Sequence, residues 1–126
     1  MKLKNVLIVV NDIERAKTFY HELFGLDVIR DFGENVMLTE GLVLQERKSW
    51  ETLIGREAVF GGCDAELYFE ERNLDLFLDK LRAFAGKGET PVQFLNKEEE
   101  CGSGKRVVRI FDPDGHVIEV GETVNG

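Results

Sequence analysis

Apolar positions fall into short runs and helical stripes whose order occurs twice along the chain. Val6–Val10 is a continuous apolar run and predicts a buried strand. Asn11 is a candidate N-cap, and Glu14 three residues on completes a capping-box pattern. Ile13, Ala16, Phe19, Tyr20, Leu23 and Phe24 then recur at helical spacing, and Gly25 stops the helix. Leu26–Arg30 predicts a short strand, Asp31–Asn35 a turn, and Val36–Thr39 a further strand. Glu40-Gly41 turns the chain into Leu42–Glu46, so the first sixty residues read β-α-β-β-β.

The second half follows the same order. Glu66–Glu70 predicts a strand with Leu67 and Phe69 on one face. Asn73 is a candidate N-cap for a helix carrying Leu74, Phe77, Leu78, Leu81 and Phe84, closed by Gly86. Thr90–Phe94 predicts the next strand, with Pro91 suited to a strand start or an edge. Lys97–Lys105 is polar, with Glu98-Glu99-Glu100 and two glycines, and is expected to be a loop. Val107–Phe111 and Val117–Val120 flank Asp112-Pro113-Asp114-Gly115, a turn in which Pro113 presets φ and Gly115 can take positive φ. An offset of 61 places Asn5 on Glu66, Ile13 on Leu74 and Gly25 on Gly86; at the hairpins an offset of 74 places Gly41 on Gly115 and Gln45 on Glu119. The pattern repeats while residue identity is slight. The expectation is an α+β fold of two βαβββ modules, about 1–60 and 61–126, forming a single domain because each module alone leaves one sheet face bare.

Bulk properties narrow the partners. The chain has 126 residues, enough for one ordinary core, and its 43% hydrophobic and 32% charged fractions are those of a globular protein. A formal charge of −8 argues against nucleic acid and anionic membranes as partners. No apolar run approaches the roughly 18 residues of a membrane span, and no secretory leader is recognisable. Cys63 and Cys101 form no CxxC pair, and reduced thiols in a cytoplasmic protein are the simple reading.

One charged position stands out. Glu119 lies inside the most apolar strand of the second half, on the face of Val117 and opposite that of Ile118 and Val120. It points either to solvent, paired across the hairpin with Arg109, or into a cavity. Trp50, Tyr68, Phe60 and Arg47 are further candidates for lining a site; aromatics there can stack a planar ligand, although such residues more often serve as plain core. Of the two histidines, His21 falls on the first helix and His116 alternates away from the face of Glu119. Cys101-Gly-Ser-Gly-Lys105 lacks the spacing of a phosphate loop. Cys63 has no histidine at recognisable spacing to activate it.

The strand ending in Val-Val-Asn-Asp, the helix Ile-Glu-Arg-Ala-Lys-Thr-Phe-Tyr, its Phe-Gly-Leu close and the final Phe-Asp-Pro-Asp-Gly-His-Val-Ile-Glu-Val resemble the vicinal oxygen chelate superfamily of glyoxalases, bleomycin-resistance proteins and dioxygenases. The resemblance spans about residues 3 to 122. It implies two βαβββ modules whose sheets curl around a cleft, and a homodimer. In the superfamily's metalloenzymes, ligands come from the first and last strands of each module, which by position are Asn5, Gln45, Glu66 and Glu119 here. Glu119 sits in the matching Ile-Glu-Val motif, whereas Asn5 and Glu66 stand where histidines are usual.

Zinc, nickel and iron favour imidazole or thiolate ligands; an all-oxygen set would suit Mg²⁺, Mn²⁺ or Ca²⁺. Two readings follow. In the first, the protein binds an apolar or cationic small molecule in the cleft without a tightly bound metal. Asn5, Gln45, Arg109, Trp50 and Tyr68 contribute, and Glu66 and Glu119 form a carboxylate pair able to serve as general base. In the second, Gln45, Glu66 and Glu119 hold a divalent ion for a lyase or isomerase of the glyoxalase or epimerase type, acting on a vicinal-oxygen substrate.

Overall fold

In a computed structural model the described residues are 1–100 and 106–123, with side chains described outside 96–100. Contacts divide the chain into two units, residues 1–59 and residues 60–126.

The first unit contains β1 (Val6–Val10), α1 (Ile13–Phe24), β2 (Val28–Asp31), β3 (Asn35–Leu38), β4 (Leu42–Glu46) and α2 (Arg47–Ile54). Its sheet has the order β1-β4-β3-β2, with β1 and β4 parallel and the other pairs antiparallel. Ladder partners share a face, so Ile8, Val10, Val36, Leu38, Leu42 and Leu44 form one apolar surface, all of them buried. Helix α1 supplies Ala16, Phe19, Tyr20 and Leu23, with Phe19 edge-on to Tyr20 at 5.1 Å between ring centroids. Asp12, not Asn11, caps α1: its Oδ1 accepts the Arg15 N–H at 3.0 Å. The cap therefore lies one residue later than expected and, with Arg15 at the third helical position, the capping-box pattern is not realised. At the other end, Gly25 N–H reaches the His21 carbonyl and Leu26 N–H the Tyr20 carbonyl, closing the helix with a left-handed residue.

The second unit contains β5 (Glu66–Glu71), α3 (Leu74–Gly86), β6 (Gln93–Glu100), β7 (Arg106–Phe111) and β8 (Val117–Glu122), in sheet order β5-β8-β7-β6. Again the first and last strands pair in parallel. Leu67 and Phe69 share a face with Val108, Ile110, Ile118 and Val120, and α3 buries Leu74, Phe77, Leu78, Leu81 and Phe84. Asn73 caps α3 as expected, its Oδ1 accepting Leu76 N–H at 3.0 Å.

Two expectations are corrected. Lys97–Glu100 is strand, not loop: β6 runs on to pair Glu99 with Val107 and Glu100 with Arg106. As the outer strand of its sheet it tolerates a charged run that a central strand would not. The remainder of the expected loop, residues 101–105 including Cys101, lies outside the described residues. Second, Arg47–Ile54 is a helix that the hydrophobic pattern did not announce, because its cap is a glutamate: Glu46 accepts the Lys48 and Ser49 N–H groups at 2.8 and 3.0 Å.

The turns keep the offset of 74 in backbone form. Gly41 and Gly115 both have positive φ, +78° and +91°. A Cβ on Gly41 would lie 3.1 Å from the Lys4 carbonyl oxygen, so a side chain at this position is disfavoured both by conformation and by space. Replacing the α1 cap tests the local account. Asp12→Ala should lower stability by about 1 kcal/mol in urea unfolding, from the loss of one satisfied helix-end donor.

Candidate functional site

Each sheet has a second face, turned away from its covering helix, and its central row carries the polar chemistry. In the first sheet this row is Val9, Gln45 and Asn35, on β1, β4 and β3. In the second it is Tyr68, Glu119 and Arg109, on β5, β8 and β7. Gln45 maps to Glu119 and Asn35 to Arg109 at the same offset of 74.

Gln45 is buried, with 8% of its surface exposed, and both ends of its amide are used. Its Oε1 accepts from Asn35 Nδ2 at 2.7 Å, and its Nε2 donates to Ser49 Oγ at 2.8 Å. Ser49 in turn donates to the Glu46 carbonyl. These contacts supply what a buried amide requires. Leu7, Val43 and Met37 form the neighbouring row of the same face, so the network sits in largely apolar surroundings.

Glu119 occupies the equivalent place with charge. Its Oε1 lies 2.8 Å from Arg109 Nη2, the side chains being 15% and 27% exposed. Glu119 is thus paired across the hairpin, as one expectation had it, but it is mostly buried rather than turned to solvent. Tyr68 partners Glu119 on β5 and is 43% exposed. Glu66 is exposed and lies on the same face one row along, beside Val117 and Phe111. The two carboxylates are therefore diagonal neighbours on adjacent strands.

Other candidates are elsewhere. Asn5 precedes β1, exposed, four residues before Gln45's ladder partner Val9. That is about 13 Å along a strand, too far to share a ligand sphere with Gln45 within this sheet. Trp50 is half-buried on α2. Arg47 ties α2 to the segment after it, with Nε 3.2 Å from Glu51 Oε2 and Nη2 donating to the Ala58 carbonyl. Phe60 lies edge-on to His116 at 6.0 Å. His21 is exposed at the end of α1, its Nδ1 3.1 Å from the Leu26 carbonyl.

His116 does more than its position promised. Its Nδ1 lies 2.7 Å from Oδ2 of Asp112, whose side chain is fully buried. Asp112 Oδ1 also accepts the N–H groups of Asp114 and His116, so one carboxylate organises the whole β7–β8 turn. Burial of the ring opposes its charge, but the Asp112 hydrogen bond and the Asp112 and Asp114 charges outweigh it and raise the imidazole above its ordinary 6.5.

Sequence reasoning missed Asn35 and Ser49, the partners that immobilise Gln45. The offset that equates Gln45 with Glu119 would have found Asn35, since it equates Arg109 with that residue. Ser49 gave no such signal because α2 has no counterpart among the described residues of the second unit.

The donor set is a poor fit for a divalent ion. The hard oxygen of Gln45 is taken by Asn35, and Glu119 is faced by a fixed guanidinium. Among the described residues no group of three or more His, Cys, Asp or Glu side chains is placed to hold a metal.

The sequence matches the glyoxalase-like domain family over residues 3–125. The chain belongs to that family. Among solved structures, a protein of unknown function from Agrobacterium tumefaciens is 32% identical, with a TM-score of 0.80 over 98% of this chain and 95% of that one. The fold is also that of a lactoylglutathione lyase from A. tumefaciens, at 22% identity and a TM-score of 0.68 over 96% of this chain and 92% of that one. The fosfomycin resistance protein FosX of Listeria monocytogenes shares it at 14% identity, with a TM-score of 0.72 over 100% and 94%. No curated protein matches the chain. The recognised superfamily and the expected pair of βαβββ sheets are thus established for this glyoxalase-like chain, while the reaction is not fixed by fold. No helix among the described residues is long and apolar enough to cross a membrane.

Two measurements test the site. Arg109→Met should lower stability by about 1–3 kcal/mol because it strands a mostly buried carboxylate, and adding Glu119→Gln should recover part of that loss. His116→Gln should destabilise more at about pH 5 than at about pH 9 in urea unfolding. A folded pKa raised above the unfolded value contributes stability that is complete below the unfolded pKa and disappears as pH rises through the folded one.

Proposed function

We propose that this glyoxalase-like protein binds a small molecule at the second face of its sheets and does so without a tightly bound catalytic metal. One observation carries the reading: at both positions where the superfamily's metalloenzymes take ligands from a last strand, the acceptor oxygen is already bound by a neighbouring side chain, Asn35 on Gln45 and Arg109 on Glu119. What a ligand would meet on the second sheet is Tyr68, the Arg109–Glu119 pair and Glu66, with Phe111 and Val117 beside them. Such a surface suits an aromatic or apolar body carrying one charged group. With Glu119 held by Arg109, the exposed Glu66 is the carboxylate that would meet a cationic group, which the net charge of −8 also favours at long range.

The lactoylglutathione lyase and FosX relatives keep a metal-dependent lyase or isomerase as the competing reading, on fold alone. A screen of aromatic and cationic small molecules by thermal shift, followed by calorimetry, separates the two. The expected result is a ligand whose affinity falls about tenfold or more in Glu119→Gln, through loss of the carboxylate that holds the Arg109 guanidinium in place. Binding left intact by Glu119→Gln for every ligand would remove the proposed site. Turnover of a 2-oxoaldehyde adduct or an acyl thioester that depends on added divalent ion would favour the lyase or isomerase.

We propose further that the protein is a homodimer working in the cytoplasm. Val28, Ile29 and Phe32, on and beside the outer strand β2, are 44%, 59% and 65% exposed and support a covered edge. Light scattering coupled to size exclusion should give twice the chain mass, and Ile29→Lys with Phe32→Lys should shift it toward the single chain.

A further inference from the structure

The two sheets carry the same device. Asn35 and Arg109 stand 74 residues apart, as do Gln45 and Glu119, and in each sheet the members of the pair are direct partners across an antiparallel ladder. The donor of the earlier strand caps Oε1 of the later one, at 2.7 Å in the neutral pair and 2.8 Å in the charged pair. The charged pair has a consequence that the neutral one lacks. Glu119 is only 15% exposed, so its carboxylate cannot turn to solvent to recruit a counter-ion without giving up its partner. Arg109 is tethered on the adjacent strand and so presents its charge at an effective concentration that no free ion matches. A divalent ion at Glu119 would have to displace the guanidinium or sit beside a like charge, and both are unfavourable.

We infer that Arg109 is a built-in counter-cation that excludes divalent metals from Glu119 and so determines which ligands this position accepts. The guanidinium occupies the electrostatic role that a bound ion would have, and Glu119 positions it. A ligand at this position is met by fixed N–H donors rather than by an exchangeable metal coordination site. The inference deepens the metal-free reading above and rests on it, but it is tested by metal uptake and not by ligand binding. A failed ligand screen therefore leaves it standing, and its own failure leaves ligand binding open.

The experiment is titration of the full chain with Mn²⁺, followed by electron paramagnetic resonance of the free ion. Wild-type protein, Glu119→Gln, Arg109→Gln, Arg109→Lys and the double variant Arg109→Gln/Glu119→Gln are compared, with circular dichroism confirming the fold. Arg109→Met, which retains the apolar stem, replaces Arg109→Gln if the latter does not fold. Wild type and Glu119→Gln should take up Mn²⁺ equally weakly. The neutral Arg109 variant should bind at least about tenfold tighter, because a positive charge has left the carboxylate. That gain should vanish in the double variant and be absent in Arg109→Lys, which keeps the charge. Mn²⁺ uptake by the wild type that falls in Glu119→Gln would overturn the inference. So would a folded, neutral Arg109 variant that binds no tighter than wild type.

Discussion

A four-stranded sheet has two faces, and one connecting helix covers only one of them. That constraint organises both units of this protein. The helix between the first and second strands of each unit packs on the face of Ile8, Val10 and Leu44, or of Leu67, Ile118 and Val120, and is fixed by a side-chain cap at Asp12 or Asn73. Parallel pairing of the first strand with the last then brings the end of each module to the middle of its sheet. A polar residue in the last strand, on the face away from the helix, consequently stands in the centre of the second face with strands on either side.

Burial there makes pairing obligatory, since a desolvated amide or carboxylate without a partner is strongly unfavourable. The first unit meets the requirement with Asn35 and Ser49 around Gln45, the second with Arg109 on Glu119. The same ladder geometry hosts both solutions, and the choice between an amide and a guanidinium sets whether the row is neutral or ionic. The two sheets therefore differ in chemistry through side chains at a few fixed register positions, within the same ladder geometry.

Much of this was legible in the chain, for identifiable reasons. The helices were clear because Phe19, Tyr20 and Leu23, or Phe77, Leu78 and Leu81, recur at helical spacing and end near glycines. The strands were clear in kind but displaced at their ends: β2 starts at Val28 rather than Leu26, and β6 runs to Glu100, since pairing and not composition decides where a ladder stops. Helix α2 escaped notice because a glutamate cap is not a recognised start signal and its sequence has no second copy to reinforce it. Glu119 was visible as a charge among apolar neighbours, and its pairing with Arg109 was one of two alternatives the alternation allowed. Asn35 was overlooked although the offset of 74 equates it with Arg109, because an asparagine after a turn is ordinary until its partner is known. Asn5 was placed at the site by position alone, and the ladder leaves it a strand's length from Gln45.

The chain of hydrogen bonds from Asn35 through Gln45 and Ser49 to the Glu46 carbonyl joins the floor of the first sheet to the opening turn of α2. Glu46 adds two backbone N–H groups to the same junction. The helix is thus clamped at its start and held farther along through Glu51, which grips both Arg47 and the Ala58 amide. With the helix fastened at its root and again at Glu51, its exposed outer end at Leu53 and Ile54 is the natural place to attach a reporter of events on the sheet.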